Sequence, residues 1–269
     1  MLKYLGASDL HFPWHEPRYV DLYFKVMKWY KPDVIDLLGD ISDQDCYSRW
    51  SDGRSDEFLN KVKDAERTGI LPIVIDQEKD ARDFYTEVRS RNPHAEIFSA
   101  LGNHDIRVFE YADKKLPALL EAITPEALWD FKNLGIDYIH YGSPPKHRYG
   151  DVYAHHGMSI SKHSGESVRN DIESTGVSII RGHSHRIGQY NKTYSLTGQV
   201  LRGWEIGHMT DINSKGMSYA QNWNWQPGFA IGTIESGSTA TSDGNWMHIN
   251  TVQITPDFSC VIHGKSFKA

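Results

Sequence analysis

A single α/β domain is the fold class this chain predicts, on three observations. Short apolar runs alternate with amphipathic helical stretches through the first two thirds, and 269 residues suffice to bury one substantial core. Five of the apolar runs also end in polar residues of one chemical kind, as the strands of an open parallel sheet do where their loops converge.

In order along the chain, residues 2–8 read as a strand. Residues 18–30 follow as a helix, with Leu22, Val26 and Trp29 on one face and Pro32 closing it. Residues 33–38 and 95–101 are the next strands, and between them lies a polar insertion, 44–94, with helices expected over 56–67 and 77–91. That insertion is expected to form a helical cap. Residues 108–133 are helical, broken at Pro117 and Pro125, and carry Leu116, Leu119, Leu120, Ile123, Leu128 and Phe131 toward the core. Residues 152–154 and 177–180 are two further strands. Beyond His185 come short β-like runs at 199–205, 229–234, 246–254 and 259–262, so 186–269 should add antiparallel strands to one domain spanning 1–269.

The residues that close the five strands are Asp9-x-His11, Gly39-Asp40-x-x-Asp43, Gly102-Asn103-His104-Asp105, His156-Gly157 and Gly182-His183-x-His185. Carboxylates, imidazoles and one carboxamide suit borderline divalent ions such as Mn, Fe, Co, Ni or Zn, whereas an oxygen-only set would suit Mg or Ca. Metal-assisted hydrolysis is the chemistry such a set serves. Alternation in an extended segment would point His183 and His185 to one side, and would turn His155 and His156 to opposite sides, so that only one of the latter pair can be a ligand. Gly157 makes His156 the match.

These motifs resemble those of the calcineurin-like metallophosphoesterases, over roughly residues 9–185. The resemblance implies a four-layer αββα arrangement, a two-layer β-sandwich flanked by helices. It also implies two divalent ions, Mn foremost, with Asp9, His11, Asp40 and His185 around one and Asp40, Asn103, His156 and His183 around the other. Asp40 would bridge them, one oxygen facing each ion, and a metal-bound hydroxide would attack the phosphorus. His104 would stand beside the scissile phosphate as a catalytic group rather than a ligand, its imidazole oriented by Asp105.

Departures from the family pattern narrow the expectation. Protein Ser/Thr phosphatases of the superfamily continue the second motif with Arg-Gly and end the third with Glu, whereas this chain reads Asp43-Gln44-Asp45 and Asp105. Asp105 resembles the repair-nuclease and phosphodiesterase branches instead. The loop His11-Phe-Pro-Trp-His15 and the tail Asn222-Trp-Asn-Trp-Gln-Pro-Gly-Phe229 resemble phage-encoded members. The expected function is a two-metal phosphodiesterase acting on a nucleotide or a nucleic-acid end, with a phosphomonoesterase or a catalytically silent metal-binding scaffold as alternatives.

Charge and composition set limits on partners. A net charge of −6 excludes a dedicated DNA-coating module, so nucleic-acid contact must be local. Trp14, Arg49, Trp50 and Arg54, in loops after the first two motifs, are the candidate substrate contacts, by stacking and phosphate pairing. Trp204, Trp223, Trp225 and Trp246 are expected to pack in the core or at an interface, a homodimer among the options. No run approaches the ~18 apolar residues of a membrane helix, and the chain starts with a strand rather than a signal, so a cytoplasmic protein with no membrane contact is expected. Cys46 and Cys260 are too few for a disulfide framework or a Cys-x-x-Cys zinc site.

Overall fold

A computed structural model of the chain describes residues 1–44, 47, 78–115, 117–218 and 223–269. Strand β1 (Leu2–Ala7) alternates between two buried environments, with Leu5 and Ala7 facing helices and Tyr4 facing a second sheet. Helix α1 (Pro17–Tyr30) starts at Glu16, whose side chain accepts the Arg18 amide, and buries Leu22, Tyr23, Val26, Met27 and Tyr30. Strand β2 (Val34–Leu37) repeats the alternation of β1. After helix α2 (Lys79–Arg91), β3 (Glu96–Ala100) does so again, with Ile97 toward the helices and Phe98 and Ala100 toward the other sheet.

Helix α3 (Arg107–Lys115), a 3-10 turn at Pro117–Ala122, and the short helices α4 (Pro125–Trp129) and α5 (Phe131–Leu134) follow, restarting at the two prolines as expected. They lead into β4 (Ile136–Ile139), β5 (Lys146–His147) and β6 (Val152–Ala154). Helix α6 (Glu166–Thr175) precedes β7 (Ser178–Arg181), β8 (Ile187–Thr193) and β9 (Val200–Ile206). Strands β10 (Gly228–Ser236), β11 (Asn245–Gln253), β12 (Ser259–Ile262) and β13 (Lys265–Lys268) complete the order.

Two sheets result, ordered β11-β10-β1-β2-β3-β4 and β5-β6-β7-β9-β8, with β12-β13 a separate ribbon. Strands β1 to β4 are parallel, as are β6, β7 and β9, while β10, β11 and β8 attach antiparallel. Tyr4, Phe98 and Met247 of the first sheet meet Val152, Ile180 and Trp204 of the second in one apolar layer. The outer face of the first sheet is covered by α1, α2, α4 and α5, and that of the second by α6 through Val168 and Ile172. This is the four-layer αββα arrangement. No helix among the described residues is long and apolar enough to cross a membrane.

One expectation is corrected. Helix α2 lies in the insertion assigned to a cap, yet Ala81, Phe84, Tyr85 and Val88 are buried in the main core and Phe84 packs 5.7 Å from Phe24 of α1. Residues 78–94 are thus the crossover between parallel β2 and β3, which must return along the sheet's face. The helix expected over 56–67, and Cys46, lie outside the described residues.

Glu78, just before α2, is buried and accepts a hydrogen bond from Trp129 Nε1 at 3.0 Å; burial pushes its carboxyl up to about 7. The unfolded chain ionises this group at ordinary carboxylate pH, so its contribution to stability is present in acid and is lost as pH rises through 7. Glu78→Gln keeps an oxygen for Trp129 and removes the titration. Its stability relative to the parent should rise by about 1–3 kcal/mol between pH 5 and pH 8 in urea unfolding; a pH-independent difference would refute the account.

Candidate metal centre

All five motifs lie on one rim, where β1, β2, β3, β6 and β7 end. Asp9 and His11 follow β1, Asp40 follows β2, Asn103 follows β3, His156 follows β6, and His183 and His185 follow β7. Just past the strands the backbone turns left-handed at Asp9, His11, Asp40, His183 and His185, with φ of 55°, 55°, 50°, 67° and 57°. These turns fold the side chains back over the strand ends. The segment 183–185 is therefore not extended, which corrects the alternation argument, while His185 falls in the group of Asp9 and His11 and His183 in that of Asp40 and His156. The motif glycines allow the close approach: a Cβ on Gly102 would lie 2.1 Å from Asp40 Oδ1, and one on Gly182 2.5 Å from Asp9 Oδ2.

Asp9, His11 and His185 converge as one group able to hold an ion, and Asp40, His156 and His183 as another. His185 Nε2 stands 3.1 Å from Asp9 Oδ1 and 3.1 Å from His11 Nε2. In the second group, His156 Nε2 is 3.1 Å from Asp40 Oδ2 and 3.1 Å from His183 Nδ1. Asp40 Oδ1 accepts the His104 amide at 2.8 Å, so Oδ2, also 3.8 Å from His11 Nε2, is the oxygen lying between the groups. The sequence expectation has one Asp40 oxygen facing each ion, whereas here Oδ2 alone is turned to both groups.

The donor set fits two borderline cations. Asp9 Oδ1 and Asn103 Oδ1 are buried without hydrogen-bond partners, an expensive condition that a cation would relieve. Facing pairs of imidazole nitrogens need a shared acceptor of their lone pairs. Outer atoms are already engaged: His11 Nδ1 with Asp43 Oδ1 at 3.0 Å, His156 Nδ1 with Leu38 O at 2.6 Å, and Asp9 Oδ2 with Ser8 Oγ and the His183 amide. Such partners fix the tautomer and leave the inner nitrogen bare.

Burial opposes charge throughout the centre, and pairing decides which groups keep it. Against burial, His185 holds Asp9 and His156 holds Asp40 below the usual carboxylate range. Against its own burial, His156 is lifted to about 9 by Asp40, while burial with His156 nearby pushes His183 down to about 3.

His104 stands beside this set, its ring 4.5 Å from that of His11 and nearly perpendicular to it. Its Nδ1 lies 2.7 Å from Asp43 Oδ1, and its Nε2 lies 3.1 Å from Arg107 Nη2. Arg107 also donates to the Asp43 carbonyl at 2.8 Å. Asp43 therefore orients both His104 and His11, and against burial those two hydrogen bonds hold its carboxyl low. The expectation that Asp105 orients His104 is corrected: Asp105 accepts the Ser42 and Gly102 amides, each at 2.8 Å, and braces the loops instead. Burial, with Asp40 nearby, pushes its carboxyl up to about 7.

His155 turns away from the ligands to Asp171 Oδ2 at 3.2 Å, as the choice of His156 requires. Trp14, expected at the substrate, lies against Gly216, where a Cβ would come within 2.3 Å of its ring. That contact gives it a packing role. Arg49, Trp50 and Arg54 lie outside the described residues.

Sequence reasoning missed several neighbours. Arg107, three residues past His104, is one; His208, at the end of β9, is another, its ring 5.5 Å from that of His185. Burial, with His185 nearby, holds His208 well below the usual imidazole range. Trp225 stands edge-on to His185 at 4.4 Å, and Tyr141, after β4, faces His156 and His183 at 6.1 and 6.5 Å. Tyr141, His140, Ser143, His155 and Met158 line a small pocket beside His156. For Tyr141 and His208 a nearby strand end was the one available signal.

Residues 2–187 match the model of the calcineurin-like phosphoesterases. The chain is similar to the gene 54 proteins of Mycobacterium phages D29 and L5, each 26% identical over 234 residues, covering 85% of this chain and 87% of theirs. Among solved structures it is similar to a single-mutant Vps29 from Entamoeba histolytica, with a TM-score of 0.45 and 12% identity over 98% of this chain and 96% of that one.

Proposed function

Because this chain belongs to the calcineurin-like phosphoesterase family, and so hydrolyses phosphoric esters, we propose that it is a phosphodiesterase whose substrate is a nucleotide or a nucleic-acid end. The observation that carries the diester reading is the aromatic frame on two sides of the ligands, Tyr141 against His156 and His183, and Trp225 against His185. A diester carries a substituent on either side of the phosphorus and a single negative charge. A monoester dianion would call for a denser cationic wall.

Asp9, His11, Asp40 and His185 would hold one divalent ion, and Asp40, Asn103, His156 and His183 the other. Bound there, the pair would supply Lewis acidity and a nucleophilic water at neutral pH. The chain's own residues do the rest. His104 carries its proton on Nδ1, held by Asp43, and leaves Nε2 toward Arg107 and the open side of the centre. In its imidazolium form, with a second proton on Nε2 turned to the phosphate instead of to Arg107, it would stabilise charge on the phosphoryl oxygens and give that proton to the leaving oxygen. Arg107 adds a fixed positive charge at the same edge, the feature that favours a monoester as the second reading.

Hydrolysis of bis-p-nitrophenyl phosphate against p-nitrophenyl phosphate, with Mn, Ni, Co or Mg supplied, tests the proposal. Diester preference, strongest with Mn or another borderline ion, is expected. Monoester preference would establish the second reading, and turnover of neither would overturn both.

A further inference from the structure

The segment 223–226 is not among the five motifs, yet it is fastened to the loop that carries His185 and to the start of β8. The Gln226 amide donates to His185 O at 2.9 Å, and the Ile187 amide donates to Gln226 Oε1 at 3.2 Å. Arg186 Nε donates to Asn224 O at 3.1 Å, and Gln226 Nε2 to Asn224 Oδ1 at 2.8 Å. Three hydrogen bonds to residues 185–187 and one within the segment thus hold two indoles in place. Trp225 meets the His185 ring at 4.4 Å, and Trp223 stacks on Trp225 with centroids 6.3 Å apart and planes 28° apart. Trp223, the outer rung, is 46% exposed.

A ladder of two aromatic planes, rigidly mounted and running outward from a metal ligand, is costly to leave open to water. Packing explains Trp225, which is partly buried, whereas Trp223 keeps nearly half its surface in water. We propose that Trp223 and Trp225 form a nucleobase-binding platform, stacking the base of a nucleotide whose phosphate lies at the metal centre. Every base offers a π-face, so the platform would be tolerant of sequence, and it requires the base to be unpaired. Single-stranded ends and dinucleotides meet that condition, and internal duplex does not. The inference rests on the phosphoesterase reading of the centre and adds what lies next to the phosphate.

Binding rather than turnover tests it. With the full chain loaded with Mn, calorimetry compares adenosine 5′-monophosphate with ribose 5-phosphate, which carries an anomeric hydroxyl in place of the base. The nucleotide should bind about 5- to 150-fold more tightly, the range that stacking of one base supplies. Trp223→Ala should bring that ratio near one while leaving ribose 5-phosphate affinity unchanged, and Trp223→Phe should retain most of it. Equal affinities in the parent would overturn the platform alone. So would a Trp223→Ala variant that weakens both ligands together, since that pattern marks a structural role. Binding of neither ligand would overturn the platform and the reading beneath it.

Discussion

Asp40→Asn is expected to empty both metal positions at once. One oxygen of Asp40 is committed to the His104 amide and the other lies between His11 and His156, so the amide group of asparagine would keep the first contact and turn a donor toward the ions. The change also removes the one negative charge shared by both groups. Metal affinity should fall well beyond the roughly 10–100-fold that loss of an outer partner costs. Turnover should fall by on the order of 10³ or more, exceeding the cost of a single preorganised donor. Elemental analysis and calorimetry would read the metal content directly, and two undisturbed sites would refute the bridge.

His104→Ala separates chemistry from metal binding. The ring packs on His11 and shares Asp43 with it but is not one of the assigned ligands, so metal content should stay near that of the parent while kcat falls by roughly 10²–10⁴, the range of general acid–base contributions. Asp43→Asn makes the complementary measurement. Because Asp43 touches both His11 and His104, that variant should lose metal affinity by about 10–100-fold and turnover as well. Loss of metal in His104→Ala, or full activity in Asp43→Asn, would show that the roles are misassigned.

The parts of the fold legible in the sequence were those with local causes. Strands β1, β2, β3, β6 and β7 could be read because apolar runs stop where ligand-type residues begin, and the breaks at Pro117 and Pro125 because proline cannot continue a helix. Helix α2 was misplaced into a cap because its charged residues mask a narrow buried stripe at Ala81, Phe84, Tyr85 and Val88. The ligand types were legible for the same reason as the strands, but their partners were not. Asp105 adjoins His104 in sequence and was given the orienting role, whereas Asp43 reaches it across 61 residues. Arg148, which pairs with Asp36 across 112 residues inside the sandwich, left no local trace at all. Trp225 likewise meets His185 only through the fold.

The left-handed turns at Asp9, His11, Asp40, His183 and His185 bear on how long the protein lasts. L-residues other than glycine sit there at a cost of roughly 1–2 kcal/mol each, less for aspartate, and a domain's whole net stability is only about 5–15 kcal/mol. The unfolded chain bears none of this strain. An ion that binds only when these residues are so bent is its counterweight, and stabilises the native state in proportion to the logarithm of its concentration. Scarcity of metal would therefore shorten the lifetime of the molecule as well as silence it.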